Sequence, residues 1–250
     1  MQRVMGHLAR VAGSVGAAIA LLAAPAWADE ATSKADSLLV GLVRGPFTEA
    51  VNPASNPENL NSQLSAVERY YLHWDWAWSA GGRLGLQLHR GSYAIADQDF
   101  PGTVHQRTET DLQVGGLWRM GLFGGEADLG PGYQLQYLQI DNTATAPGTD
   151  PRFLFAPWQL YHGPALIETF RRDLVGPLGI ALDVAWVPYV FANMADNREA
   201  LPWLTSVRVA PRFVFWDERV ALGYYYERLT GTGFNREASG LLASISLTGI

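Results

Sequence analysis

The segment Arg69–Ser79, RYYLHWDWAWS, constrains the fold of this chain more than any other. Its even positions carry Tyr70, Leu72, Trp74, Trp76 and Trp78, and its odd positions carry Arg69, Tyr71, His73, Asp75, Ala77 and Ser79. A helix would scatter these residues around its circumference, whereas a strand sorts them onto one aromatic and one polar face. The same alternation returns in Ser37–Arg44, Arg83–Tyr93, His105–Trp118, Phe123–Ile140, Arg152–Arg172, Leu178–Tyr189, Trp203–Phe215, Arg219–Leu229 and Ala238–Gly249, which predicts ten strands.

The connections alternate as well. Polar stretches rich in turn residues follow the odd strands: Gly45–Glu68, Ala94–Gly102, Asp141–Pro151, Ala192–Pro202 and Thr230–Arg236. Short turns follow the even strands, at Ala80-Gly81-Gly82, near Met120-Gly121, at Asp173–Pro177 and at Trp216–Glu218. An even strand number, alternating polarity and long loops on one side only together describe a bacterial outer-membrane barrel. The expected fold is therefore all-β, a ten-stranded antiparallel up-and-down transmembrane β-barrel. One segment resists the pattern, because Leu154, Trp158 and Leu160 change phase to Ala165, Ile167 and Thr169 across Gly163-Pro164. A bulge there would keep Arg152–Arg172 a single strand.

The polar faces decide which side meets lipid. They carry His73, Asp75, Arg83, Arg107, Glu109, Asp111, Glu126, Asp128, Asp183, Arg208, Arg212 and Glu227. An arginine facing lipid at the bilayer midplane costs about 2–4 kcal/mol, so these residues are expected in the lumen. Trp78, Trp118 and Trp216 flank the short turns, while Tyr70, Tyr137, Trp203 and Tyr226 lie towards the long loops. Two aromatic levels match the two interfaces of a membrane. A barrel of about ten strands has a narrow interior, where opposite charges are expected to pair and brace the wall; lining a channel for small polar solutes is the alternative.

Residues 1–28 combine Arg3, His7 and Arg10, the apolar run Val11–Ala24 and the Ala26-Trp27-Ala28 site, the pattern of a cleaved secretory signal peptide, leaving 29–250 as the barrel. The chain holds 18 Lys and Arg against 24 Asp and Glu. Removing Arg3 and Arg10 with the leader leaves 16 against 24, a net charge of −8, which argues against nucleic acid as a partner. Lys34 is its one lysine, and there is no cysteine, so neither a disulfide framework nor a thiolate metal site is expected.

Motifs for catalysis are sparse. His73 and Asp75 share a face, as a base and its orienting carboxylate would, but two residues apart on a strand they also fit a shared polar network. No lipase elbow, zincin pair or phosphate-binding loop is present, and no cofactor or metal is expected. Asp97, Asp99, Asp141, Asp150 and Asp196 fall in outer loops, as solvated or cation-bridged carboxylates.

The strand count, the run Gly41–Gly45 (GLVRG), and Asp97-Gln98-Asp99-Phe100 followed by His105 resemble the omptins. These outer-membrane proteases set an Asp pair across the barrel mouth from an Asp–His couple that activates a water. The resemblance implies Asp97 and Asp99 as the first pair and Asp196 as the second carboxylate, with His105 the nearest histidine; none follows Asp196.

The expected protein is thus exported through the periplasm to the outer membrane of a Gram-negative envelope, in contact with lipid and lipopolysaccharide. Its expected role is non-enzymatic: a porin-like passage, or a structural or surface-interaction barrel. An omptin-like protease, or a degenerate relative, is the alternative. The sequence leaves the oligomeric state open.

Overall fold

The computed structural model describes residues 37–51, 60–78, 81–96, 104–141, 158–194, 204–216 and 219–247. Residues 1–28, expected from the sequence to be a leader, lie outside them. Ten strands follow one another: β1 (Ser37–Val51), β2 (Leu60–Ala77), β3 (Gly82–Ala96), β4 (Val104–Leu122), β5 (Gly125–Asp141), β6 (Trp158–Val175), β7 (Leu178–Met194), β8 (Leu204–Phe215), β9 (Val220–Gly231) and β10 (Phe234–Ser246). Each pairs antiparallel with its neighbours in sequence, and β10 returns to β1, so the sheet closes into a barrel with no free edge. No helix among the described residues is long and apolar enough to cross a membrane, which leaves crossing to strands.

Alternation persists along the wall. In β10 Phe234, Arg236, Ala238, Gly240 and Leu242 point inward, while Leu241 and Ile245 stand exposed outside. The outer surface is apolar around the ring, with Tyr70, Trp74, Trp76, Trp186, Phe213, Leu222 and Tyr224 uncovered. A surface of this kind is stable against hydrocarbon, not water.

Several sequence expectations need correction. Gly45–Glu68 is not a long loop, because β1 runs on to Val51 and β2 begins at Leu60. The inward series Leu39, Gly41, Val43, Gly45, Phe47, Glu49 keeps period two through Pro46, which faces out and needs no ladder donor there. The connection after β9 is likewise a tight turn, Thr232-Gly233, whose Gly233 has φ +72°. The turn near Met120-Gly121 sits three residues later, at Phe123-Gly124, with φ of 51° and 72° and Leu122 in register with Gly125. Two positive φ angles match the mirror-image turns that fit the twist of a hairpin.

The irregularity in the sixth strand is real but belongs to its neighbour. β6 keeps one phase, with Tyr161, Gly163, Ala165, Ile167 and Thr169 all turned inward. Its register with β5 is unbroken, whereas its register with β7 slips between His162 and Leu166. Opposite that slip, β7 advances three residues from Val187 to Val190 while β8 moves two, from Ser206 to Leu204. The extra residue lies at Pro188-Tyr189. A proline without an N–H settles where the ladder is already interrupted, and beyond it Val190 takes the inward place instead of Tyr189.

Candidate functional site: a filled, charge-braced lumen

Inward-facing residues fill the barrel in layers. Towards the long-loop end, Glu49 from β1 meets Arg107 from β4 and Arg236 from β10, with Arg107 Nη1 donating to Glu49 Oε2 at 2.5 Å and Arg236 Nε to the same oxygen at 3.1 Å. Phe47, fully enclosed, has the guanidinium groups of Arg69, Arg107 and Arg236 between 5.7 and 5.9 Å from its ring centre. The ring's negative face helps to hold three like charges close together in this buried layer. Arg236 also donates to Gln136, and Gln136 to Glu109 at 2.6 Å, while Tyr93 donates to Glu109 at 3.0 Å. Arg69 lies 3.3 Å from Glu109 and 3.5 Å from Glu227.

The network continues downward. Arg208 of β8 reaches across to Asp111 and Gln113 of β4, and Tyr225 donates to Glu227 at 2.5 Å. Below it lies an aromatic step, where the ring of His89 sits 4.9 Å from Tyr71 and 5.1 Å from Tyr225. Leu39, Val43, Ala210 and Leu242 pack around the two tyrosines.

A second ionic layer lies beneath, towards the short turns. Tyr71, His73 and Asp75 stand at successive inward positions of β2; the tyrosine hydroxyl is 2.8 Å from His73 Nδ1, and His73 Nε2 is 2.8 Å from Asp75 Oδ1. Arg171 of β6 donates to the other oxygen of Asp75 at 3.1 Å. Arg212 donates to Asp183 at 2.5 Å, and Arg119 grips Asp128 through two nitrogens at 3.0 and 3.3 Å, with Arg83 3.8 Å from the same carboxylate.

All the predicted lumen residues except Glu126 are buried. Glu126, about half-exposed, stands at the short-turn mouth and meets Arg119 at 3.2 Å. The hydroxyl–imidazole–carboxylate chain of Tyr71, His73 and Asp75 has the order of a catalytic relay, but each member is at most 4% exposed. The cavity beside His73 measures about 10 Å³, room for a single water and no substrate. A similar cavity of about 10 Å³ lies near Gln134 and Ser206.

The rim residues divide differently. Asp97, Asp99 and Asp196 lie outside the described residues. His105 is the second residue of β4, in register with Ile95 of β3. Among the described residues no group of three or more His, Cys, Asp or Glu could hold a metal ion.

Sequence reasoning passed over Glu49, Arg171 and Arg236. Glu49 and Arg236 fell in stretches read as loops, and Arg171 in the segment read as changing phase. Following period two outward from Val43 and back from Leu242 would have reached the first two. Arg119 follows Trp118, the last residue read into the fourth strand.

No protein-family model and no curated protein matches the chain. Among solved structures it is similar to the outer-membrane protease OmpT from Escherichia coli, with a TM-score of 0.52 and 13% identity over 90% of this chain and 98% of that one. It is also similar to the translocator domain of the autotransporter NalP from Neisseria meningitidis, with a TM-score of 0.46 and 8% identity over 98% and 97% of the two chains. An outer-membrane channel from Pseudomonas putida F1 aligns with a TM-score of 0.37 and 9% identity over 89% of this chain and 99% of that one. The likeness to OmpT is one of fold: the chain is a closed barrel of the outer-membrane type.

Proposed function

We propose that this chain is a non-enzymatic barrel of the bacterial outer membrane whose lumen is a permanent brace, and which acts as a structural or surface-interaction protein rather than as an open pore. The observation carrying this reading is the set of ion pairs that span the lumen, Arg107–Glu49–Arg236 above and Arg208–Asp111 below. Breaking a buried pair by removing one partner strands the other charge, at about 3–5 kcal/mol, so spontaneous opening along this axis is rare. The leader at 1–28 supports export, and the apolar outer wall supports contact with lipid and lipopolysaccharide.

Single-channel recording of the refolded protein in a planar bilayer tests this. Wild type is expected to be silent, and so are Arg208→Ala and Arg212→Ala while the remaining layer stays intact. Steady wild-type conductance altered by those substitutions would sink the brace in favour of a porin-like passage.

A second reading is an omptin-like hydrolase at the rim. Its support is the OmpT-like fold together with the chain order: β3 ends at Ala96 and β4 starts at Val104, so Asp97 and Asp99 belong to the connection that leads into the strand carrying His105. Peptide cleavage lost in Asp97→Ala and Asp99→Ala would establish it; no cleavage by wild type would remove it.

A further inference from the structure

Among the described residues of β5 to β8, Arg172 is the one charged side chain on the outward face between Glu168 and the short turns. Alternation along β6 places it there. Arg171 before it points inward onto Asp75, and Asp173 after it lies on the inward side, 3.4 Å from where a Gly179 side chain would begin. Arg172 is exposed and has no hydrogen-bond or ion-pair partner among the described residues.

The guanidinium is aimed by the neighbouring turn. Its Cζ, Nη2 and Nε lie 3.9, 3.9 and 4.0 Å from the point where a Gly124 side chain would begin, so the group spreads face-on over that turn. Its N–H bonds lie in the plane of the group and stay free for an anion. In register with Arg172 stand Ile180 of β7 and then Phe213 of β8, and the next rung towards the membrane centre carries Phe170, Leu182 and Pro211. The arginine thus stands at the foot of an apolar strip, beside a recess of about 270 Å³ between the β4–β5 and β6–β7 hairpins. Trp78 and Trp118, with ring centres 6.5 Å apart, and the exposed Trp216 flank other short turns and mark the interface at this end of the barrel.

An arginine on the outer wall is tolerated near an interface, where its head can reach the lipid headgroups. We propose that Arg172 binds the phosphodiester of a phospholipid in the periplasmic leaflet, with the acyl chains laid along the Ile180–Phe213 and Phe170–Leu182 rungs. The inference rests on the reading of the outer wall as lipid-facing. A planar guanidinium engages two phosphate oxygens through parallel N–H bonds, and here no protein carboxylate competes for it. The apolar strip selects a lipid over a free phosphate, because it is covered only when the anion carries chains. The short turns of an outer-membrane barrel face the periplasm, which assigns the leaflet.

The test is native mass spectrometry of the full chain, refolded in detergent micelles and titrated with phosphatidylglycerol, whose headgroup carries a phosphate and no amine. Diacylglycerol, with the same chains and no phosphate, and inorganic phosphate, with no chains, serve as comparators. The expected result is a saturable first phosphatidylglycerol adduct, weakened about tenfold in Arg172→Gln, with weaker binding of diacylglycerol and no displacement by inorganic phosphate. Heat-modifiable migration on gels verifies that wild type and variant are folded. No such adduct on folded wild type overturns the proposal, as does an unchanged affinity in Arg172→Gln or equal binding of diacylglycerol. Displacement by inorganic phosphate would make this a free-anion site and overturn the lipid assignment. A folded barrel that holds no lipid at Arg172 leaves the lipid-facing wall standing, whereas a wild type that folds in neither micelles nor vesicles removes both readings.

Discussion

Arg107 and Glu49 lie 58 residues apart in the chain, yet inside the barrel two guanidinium nitrogens of Arg107 donate to the two oxygens of Glu49, at 2.5 and 3.3 Å. The same carboxylate also accepts from Arg236, so one acid compensates two fully enclosed cations. Glu49→Ala strands both guanidinium groups, and unfolding in urea is expected to show a loss of about 3–5 kcal/mol. A loss below about 1 kcal/mol, as for a surface pair, would mean that water reaches this layer.

Closure of the barrel rests on a pair of glycines. A Cβ on Gly45 of β1 would stand 2.3 Å from Gly240 Cα of β10, and one on Gly240 would stand 2.4 Å from the Arg44 carbonyl oxygen. Gly240→Val should force the β1–β10 seam apart and lower stability by about 1–3 kcal/mol, seen as conversion to the unfolded gel form at a lower temperature.

Glu168 faces outward from β6 between Leu166 and Phe170, in register with Leu129 and Val184, and has no partner among the described residues. A carboxylate on the hydrocarbon-facing wall is destabilising, though less so than arginine. Glu168→Leu is expected to raise folding stability in lipid vesicles by about 1 kcal/mol, an effect that should shrink in detergent. A decrease in vesicles would show that this wall is covered by something polar.

The β7 bulge offers a paired test. Pro188→Val changes only a residue whose missing donor the interrupted ladder does not require, so the expected change is within about 1 kcal/mol. Deleting Tyr189 removes the extra residue and leaves Val187 and Val190 inward with Pro188 and Phe191 outward in plain alternation, so the folded gel form should be kept. Loss of the folded form in the deletion would mean that the bulge itself is needed to seat β7 between β6 and β8.

Alternation along single strands was legible from residues alone, because the side-chain period of a strand is local and needs no knowledge of its neighbours. That period placed His73 and Asp75 on one face of β2, and Asp111 and Gln113 on one face of β4, and the even strand number with its turns implied a closed up-and-down barrel. It failed where a local signal misled: Pro46 read as belonging to a loop, although β1 runs through it to Val51 and proline is tolerated on an outward strand position, and Gly163-Pro164 looked like the bulge that Pro188-Tyr189 supplies. What only the tertiary structure decided is partnership. Arg208 meets Asp111, 97 residues away, and Arg171 meets Asp75, 96 residues away, because closure brings opposite walls within reach of a side chain. No sequence period encodes a distance across a lumen, so whether these charges pair or line a path for water is settled only once the ring has closed and the inner volume has been filled.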